Sequence, residues 1–248
     1  PKNKTLLSHL INQRGQNKRQ MITPKHGMGA LIDGLENYLI TRLGKRLILN
    51  SEVKTLPVDG NTIITSPAYQ AATFFNESHP ELAQALLDVE YTPIISVTVF
   101  IKKSDLPINL TGIGVLIPKK ENLKTLGILF NSMTFKNRVN KNTEFESFTV
   151  LLGGQRNPQL LEKSDRSIQS IINDEIKTIL NIKNNPIEYK VHKWKKGIPV
   201  YSPYLVDIWK TAKQTWCANS GNILFGNYTG QVSIRGLIES ANKLLISN

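Results

Sequence analysis

Side chains able to hold a metal or attack a carbonyl are few and scattered in this chain of 248 residues. The four histidines, His9, His26, His79 and His192, lie far apart, and none has a Cys, Asp or Glu at ligand spacing. His79 falls in Ser78-His79-Pro80-Glu81, where a cap residue and a proline-led first turn make it a helix-start residue. Cys217 is the one cysteine, so there is no internal disulfide and no thiolate-rich metal centre; next to a core strand it reads as packing. A nucleophile elbow, a Walker loop and an EF-hand are all missing, and Gly27-Met28-Gly29 lacks the third glycine of G-x-G-x-x-G. No acid, base or metal ligand is therefore assigned. One backbone feature remains: Ile223-Leu224-Phe225-Gly226-Asn227-Tyr228-Thr229-Gly230-Gln231-Val232-Ser233-Ile234, a strand, a small-residue turn and a helix start. Such a unit offers N–H groups and the positive end of a helix to whatever lies in front, although any strand-turn-helix unit would read the same way.

The elements that must position this turn can be read from periodicity. After Gly27-Met28-Gly29, Leu31, Leu35 and Tyr38-Leu39 share one face of an amphipathic helix. Short strands are expected at 46–49, 53–56 and 62–65, the last stopped by Pro67. A helix carrying Leu82, Leu86 and Leu87 follows Pro80. Beyond Pro93 the pattern changes to longer strands, at 94–101, 115–117, 125–130 and 145–152, whose short connections imply an antiparallel layer. Ser164 precedes a strongly periodic helix with Ile168, Ile171-Ile172, Ile176 and Ile179-Leu180. A strand at 187–191, a break at Gly197-Ile198-Pro199, a strand at 223–225 and a final helix with Ile238, Ala241 and Leu245 inward complete the chain. The fold class is α/β of mixed α+β character, with a largely antiparallel sheet and covering helices in the middle.

Lys and Arg number 31 against 19 Asp and Glu, a formal charge of +12. That field suits phosphates, an anionic membrane surface or a carboxylate-bearing substrate, but scattered Lys on a solvated surface explains it equally. The densest clusters, Lys18-Arg19 and Lys193 with Lys195-Lys196, lack the aromatic interleaving of single-strand nucleic-acid binders. No apolar run approaches the ~20 residues of a membrane-spanning helix.

The 223–234 segment resembles the closing flavin motif of the protoporphyrinogen oxidases, a branch of the amine-oxidase-like FAD proteins. Five further segments resemble the same family in the same order: Thr65-Ser66-Pro67-Ala68-Tyr69-Gln70-Ala71-Ala72, Gly112-Ile113-Gly114-Val115-Leu116-Ile117-Pro118, Leu126-Gly127-Ile128-Leu129-Phe130-Asn131-Ser132, Thr149-Val150-Leu151-Leu152-Gly153-Gly154 and Ile198-Pro199-Val200-Tyr201. The resemblance runs from about Thr23 to the C-terminus. It implies FAD as cofactor, with Val53 against the adenine through its backbone, Val232, Ser233 and Ile234 against the isoalloxazine, and Trp194 in the flavin's surroundings. It implies a tetrapyrrole cavity lined by Ile113, Gly114, Leu116 and Leu151. For each apolar residue in these sets, simple core packing is the competing reading. The implied reaction is oxidation of protoporphyrinogen IX to protoporphyrin IX in three rounds, with oxygen as acceptor. The cofactor carries most of that chemistry, consistent with a sequence in which no catalytic side chain and no metal ligand is assigned.

Resembling sequences carry a longer front part with the glycine-rich pyrophosphate turn. The expectation is thus the C-terminal portion of the enzyme, a fragment or one half of a split protein, with a separate N-terminal FAD-binding chain or segment as partner. On this reading residues 1–89 are a remnant of the FAD-binding domain, 90–215 the substrate domain and 216–248 the C-terminal FAD-binding unit. The expected location is cytoplasmic, with peripheral contact at the inner face of the cell membrane, and no nucleic-acid partner is expected. Departures from the family pattern include His26-Gly27 for Gly-Gly, Gln231 for a usual glycine, Arg235-Gly236 for Asp-Cys and Val200 for Gln. Two other functional classes fit the residues: a non-catalytic porphyrin- or lipid-binding module, and a basic protein for nucleic acid or anionic membrane.

Overall fold

The computed structural model describes residues 23–57, 61–140, 142–218 and 221–246. Two compact units divide the chain, residues 1–47 and 48–248. In the first, a turn closed by the Gly27 amide on the Pro24 carbonyl at 3.0 Å leads into α1 (Gly29–Leu43). The expected helix forms, yet none of its residues is buried, and Ile32, Leu35, Tyr38 and Leu39 all stand exposed. The strand expected at 46–49 does not form: Gly44–Arg46 is a 3-10 turn followed by irregular chain.

The second unit opens with irregular chain, then β1 (Ile63–Ile64), α2 (Ala68–Ala71) and α3 (Pro80–Leu87). The strand expected at 53–56 is irregular chain with a bend at Thr55, and no strand among the described residues pairs with it. Next come β2 (Tyr91–Lys102), β3 (Gly114–Leu116), β4 (Thr125–Leu129), the single turn α4 (Asn131–Thr134) and β5 (Phe145–Gly153). The chain continues through α5 (Asp165–Leu180), β6 (Glu188–Pro199), α6 (Tyr204–Gln214), β7 (Ile223–Leu224) and α7 (Ile234–Ile246).

Five strands form one antiparallel sheet in the order β3-β4-β5-β2-β6. Alternation along β2 buries Ile95, Val97, Val99 and Ile101 on one face, paired with Leu152, Val150 and Phe148 of β5. Against that face packs α5, whose Ile168, Ile172, Ile176 and Leu180 recur every four residues and are all buried. Each such side chain contributes about 1.5–3 kcal/mol over its exposed state. The Ser164 hydroxyl caps α5 by accepting the Ser167 amide at 3.2 Å, and Asn181 ends it in the left-handed region. A polar tie adds to the packing: the Glu175 carboxylate accepts the Lys124 and Thr125 amides, both at 2.8 Å, fixing the start of β4 to the helix.

The break expected at Gly197 is instead a bulge within a continuous β6. Ile94 pairs with Trp194 but Thr92 with Ile198, so β6 carries extra residues there. A Cβ on Gly197 would lie 2.8 Å from Ile94 Cγ2 and 3.2 Å from the Thr92 carbonyl oxygen, so glycine marks a close passage over β2.

A second core surrounds the parallel pair β1-β7, with Ile64, Ala68, Ala71, Phe75, Leu82, Leu86, Leu205, Ile208, Trp216 and Leu224 buried together. In α7 the half-buried stripe runs through Leu237, Ala241 and Leu244, while Ile238, expected inward, is exposed. Apolar residues at 234, 237, 238 and 244 offer two overlapping stripes, and packing selects one of them. The Leu245 side chain lies outside the described residues.

Candidate functional site

Parallel strands deliver their C-terminal ends to the same side, the usual place for a ligand crevice. Here the Phe225 amide donates to the Ile64 carbonyl at 2.9 Å, so the chain leaving β1 (Thr65-Ser66-Pro67) and the chain leaving β7 (Phe225-Gly226) emerge side by side. On the β1 flank lies an open groove of about 830 Å³ lined by Glu52, Val53, Ile63, Ser66, Tyr69 and Phe74, among others. Val53 is 59% exposed into it. The Ser66 hydroxyl oxygen is buried with no hydrogen-bond partner among the described residues. Ser66 belongs to a segment singled out by sequence, yet nothing in the spacing marked its hydroxyl.

On the β7 side, the turn leads to α7. Ser233 caps that helix: its hydroxyl accepts the Gly236 amide at 3.0 Å and its carbonyl accepts the Leu237 amide at 2.9 Å. The amides of Ser233, Ile234 and Arg235 donate to nothing among the described residues. Val232 and Ile234 flank them at 49% and 52% exposure, while the Gln231 side chain lies against Gly236 in the first turn of the helix.

The substrate-side candidates fall on the sheet. Opposite the buried face is an open one, and the register places residues on it in rungs. One rung reads Leu116, Gly127, Leu151, Ser96, His192 across β3, β4, β5, β2 and β6; the next reads Gly114, Leu129, Thr149, Thr98, Lys190. Gly114, Leu116 and Leu151 therefore share one surface, with Leu116 84% exposed. Ile113 precedes β3 at 57% exposure, its carbonyl held by the Phe130 amide at 2.8 Å, and is not part of a rung. Leu129, which the sequence reading did not select, joins them by register. Glycine at 127 is required, because a Cβ there would lie 2.7 Å from the Val115 carbonyl oxygen and 3.2 Å from Leu116 Cδ2.

Trp194 also lies on the open face, paired with Ile94, and is 57% exposed. Its end of the sheet is tied to both strand ends of the parallel pair. Tyr91, which starts β2, accepts the Ala68 amide on its hydroxyl at 3.1 Å and packs edge-on against Tyr69 at 5.3 Å. Lys196 sits 4.0 Å above the Tyr69 ring, and the Tyr201 hydroxyl donates to the Asn227 carbonyl in the turn after β7. Burial raises the Tyr91 and Tyr201 phenols above their ordinary values, so both stay protonated as hydrogen-bonding groups. Tyr228, buried in the same turn, is raised further by burial and by the neighbouring Tyr91 and Cys217. Cys217 is raised by burial, an effect partly offset by its bond with the Leu224 backbone, which suits packing and not nucleophilic attack.

Among the described residues no group of three His, Cys, Asp or Glu is arranged to hold a metal ion. No described helix is long and apolar enough to cross a membrane.

The described residues thus combine a parallel pair, an open strand-turn-helix and an antiparallel sheet. The chain belongs to the flavin containing amine oxidoreductase family, which matches it over residues 5–243. Among curated proteins it is 28% identical over 183 residues to the mitochondrial protoporphyrinogen oxidase of Nicotiana tabacum, covering 72% of this chain and 36% of that protein. It is 26% identical over 231 residues to the protoporphyrinogen oxidase of Dictyostelium discoideum, covering 81% and 43%. A provisionally named protoporphyrinogen oxidase from Exiguobacterium matches the structure with a TM-score of 0.72 at 16% identity, over 96% of this chain and 53% of that one. An engineered putrescine oxidase matches at 0.61 and 11% identity, over 90% and 54%. The chain thus spans less than half the length of the curated relatives it matches, and the structural likenesses establish the shared fold.

Proposed function

We propose that this chain forms the C-terminal part of an FAD-dependent protoporphyrinogen oxidase, oxidising protoporphyrinogen IX to protoporphyrin IX with oxygen as acceptor. The observation that carries the reading is the open sheet face, where Leu116 and Leu129, both exposed, and the half-buried Leu151 form an apolar surface that the described residues leave accessible. A planar tetrapyrrole suits such a surface in both shape and polarity. The curated relatives' names support that substrate class.

The residues present fit a flavin. Unpartnered amides at Ser233, Ile234 and Arg235 would face the pyrimidine end of the ring, with Val232 and Ile234 against its apolar part. Val53 and the orphaned Ser66 hydroxyl would line the adenosine side of the β1 groove. When bound, the flavin supplies the hydride-accepting chemistry. The chain's own contribution is to seat the substrate, aim helix amides and hold Tyr91 and Tyr201 protonated at the join. These 248 residues carry no G-x-G-x-x-G, so on this reading the phosphate cradle and the rest of the nucleotide site would come from a separate segment or partner chain.

The test is oxidation of protoporphyrinogen IX in air with added FAD, followed by protoporphyrin fluorescence. The 248 residues alone should retain FAD weakly; joined with a chain bearing the phosphate cradle, they should turn over. Tight FAD retention by the 248 residues alone refutes the shared nucleotide site, and failure of the joined protein to turn over refutes the reaction. One observation favours a second reading, a porphyrin-binding module without catalysis: the open face is built entirely within residues 91–199, apart from the flavin-side segments. Porphyrin binding with no flavin requirement and no turnover would favour it.

A further inference from the structure

The open sheet face is graded in polarity across its strands. Its β3–β5 side presents Leu116, Leu129 and Leu151, β2 presents the half-buried hydroxyls of Ser96 and Thr98, and the edge strand β6 presents His192 and Lys190. The other lysines of this strand are engaged or sit on the bulge. Lys193 points to the α5 side, bonding Asp165 at 3.1 Å and the Lys163 carbonyl, and Lys196 caps the Tyr69 ring. Lys190 and His192, by contrast, are exposed and have no hydrogen bond or ion pair among the described residues. Glu188 is the acidic residue on the same face of β6, one rung beyond Lys190.

We infer that Lys190 and His192 form a carboxylate subsite that orients an amphipathic ring on this face. The inference rests on the tetrapyrrole reading and deepens it by naming how the ring would be oriented in its plane. Two strand spacings separate Leu151 on β5 from His192 on β6, about 9–10 Å. That span is comparable with the reach from the centre of a tetrapyrrole to its propionate carboxylates. The apolar edge of the ring then lies on β3–β5, and the propionates meet the imidazole and ammonium groups across the hydroxyl-bearing β2. A ring turned end for end would strand its carboxylates against leucines, so the gradient selects one orientation.

The test compares protoporphyrin IX with its dimethyl ester, whose propionates carry no charge, by fluorescence titration of the chain at low and moderate salt. The unmodified chain should bind the free acid more tightly, with a salt-sensitive preference. In the Lys190→Gln, His192→Gln double variant, free-acid affinity should fall about five- to thirtyfold, the worth of one exposed ionic contact and one hydrogen bond to a carboxylate, while ester affinity holds. Lys193→Gln, which removes a lysine charge from the other face of the same strand, should leave both unaltered. Equal binding of acid and ester by the unmodified chain overturns the subsite alone. So does a double variant that loses both ligands equally, or a Lys193→Gln variant that matches it. Absence of binding by either ligand overturns the tetrapyrrole reading and the subsite together.

Discussion

Leu116 gives the sharpest test of whether the sheet face is open for a ligand. It sits on β3 with 84% of its surface exposed. Replacing it with Ala removes roughly three methylene equivalents, worth about 2.4 kcal/mol when fully covered at ~0.8 kcal/mol each. In the free protein almost none of that is realised, so Leu116→Ala should change stability by no more than about 0.5 kcal/mol. A flat ring laid on the face covers about half the side chain, so the variant should lose roughly 1.2 kcal/mol of binding, about eightfold in Kd. Leu152→Ala, one residue along from Leu151 but on the buried face, is the control: at 0% exposure it should cost about 2–5 kcal/mol of stability. Urea denaturation reads the first quantity and protoporphyrin fluorescence titration the second. If Leu116→Ala destabilises as Leu152→Ala does, the residue is packed and the face is not free. If it leaves porphyrin affinity within twofold, the face is not where the ring binds.

Three further outcomes follow from the packing. Gly127→Ala must push β3 from β4, since its Cβ would meet the Val115 carbonyl oxygen at 2.7 Å, and should lower stability by about 1–3 kcal/mol in denaturant titration. Glu175→Ala strands the amide of Thr125, a residue only 1% exposed, and should cost about 1–3 kcal/mol in the same assay. Burial raises the Cys217 thiol and keeps it protonated; its reactive thiolate appears only as pH climbs past the ordinary thiol range. Alkylation by iodoacetamide should therefore be slow at neutral pH in the folded protein and become fast on unfolding.

What the sequence reveals differs from element to element for physical reasons. The helix α5 is legible because a four-residue apolar repeat with a Ser cap admits one structure, and β2 and β5 are legible as apolar, β-branched runs of strand length. At Gly197 the same kind of signal misleads: a glycine-proline cluster ordinarily ends a strand, but here glycine permits a bulge to pass close over Ile94. The chain at 53–56 has strand-forming residues without a neighbour to pair with, and propensity alone makes no ladder. For the site, family likeness selects Gly114, Leu116 and Leu151, which the register of the consecutive strands β3-β4-β5 sets on one face, while the step from β5 to β2 and β6, which no local pattern encodes, completes the order β3-β4-β5-β2-β6. The same order adds Leu129 and sets Lys190 and His192 opposite. The link from Tyr201 to Asn227 joins residues 26 apart in sequence, so only the fold reveals it.

Methyl-resolved NMR of the leucine-labelled protein, titrated with protoporphyrin IX, asks the question most directly. The ring current of a bound macrocycle should move the methyl signals of Leu116, Leu129 and Leu151 strongly, while Leu152 and Leu180, on the α5 side, stay nearly still. Large shifts confined to Leu56 in the β1 groove, or none at saturating porphyrin, would contradict the assignment of the sheet face as the tetrapyrrole surface.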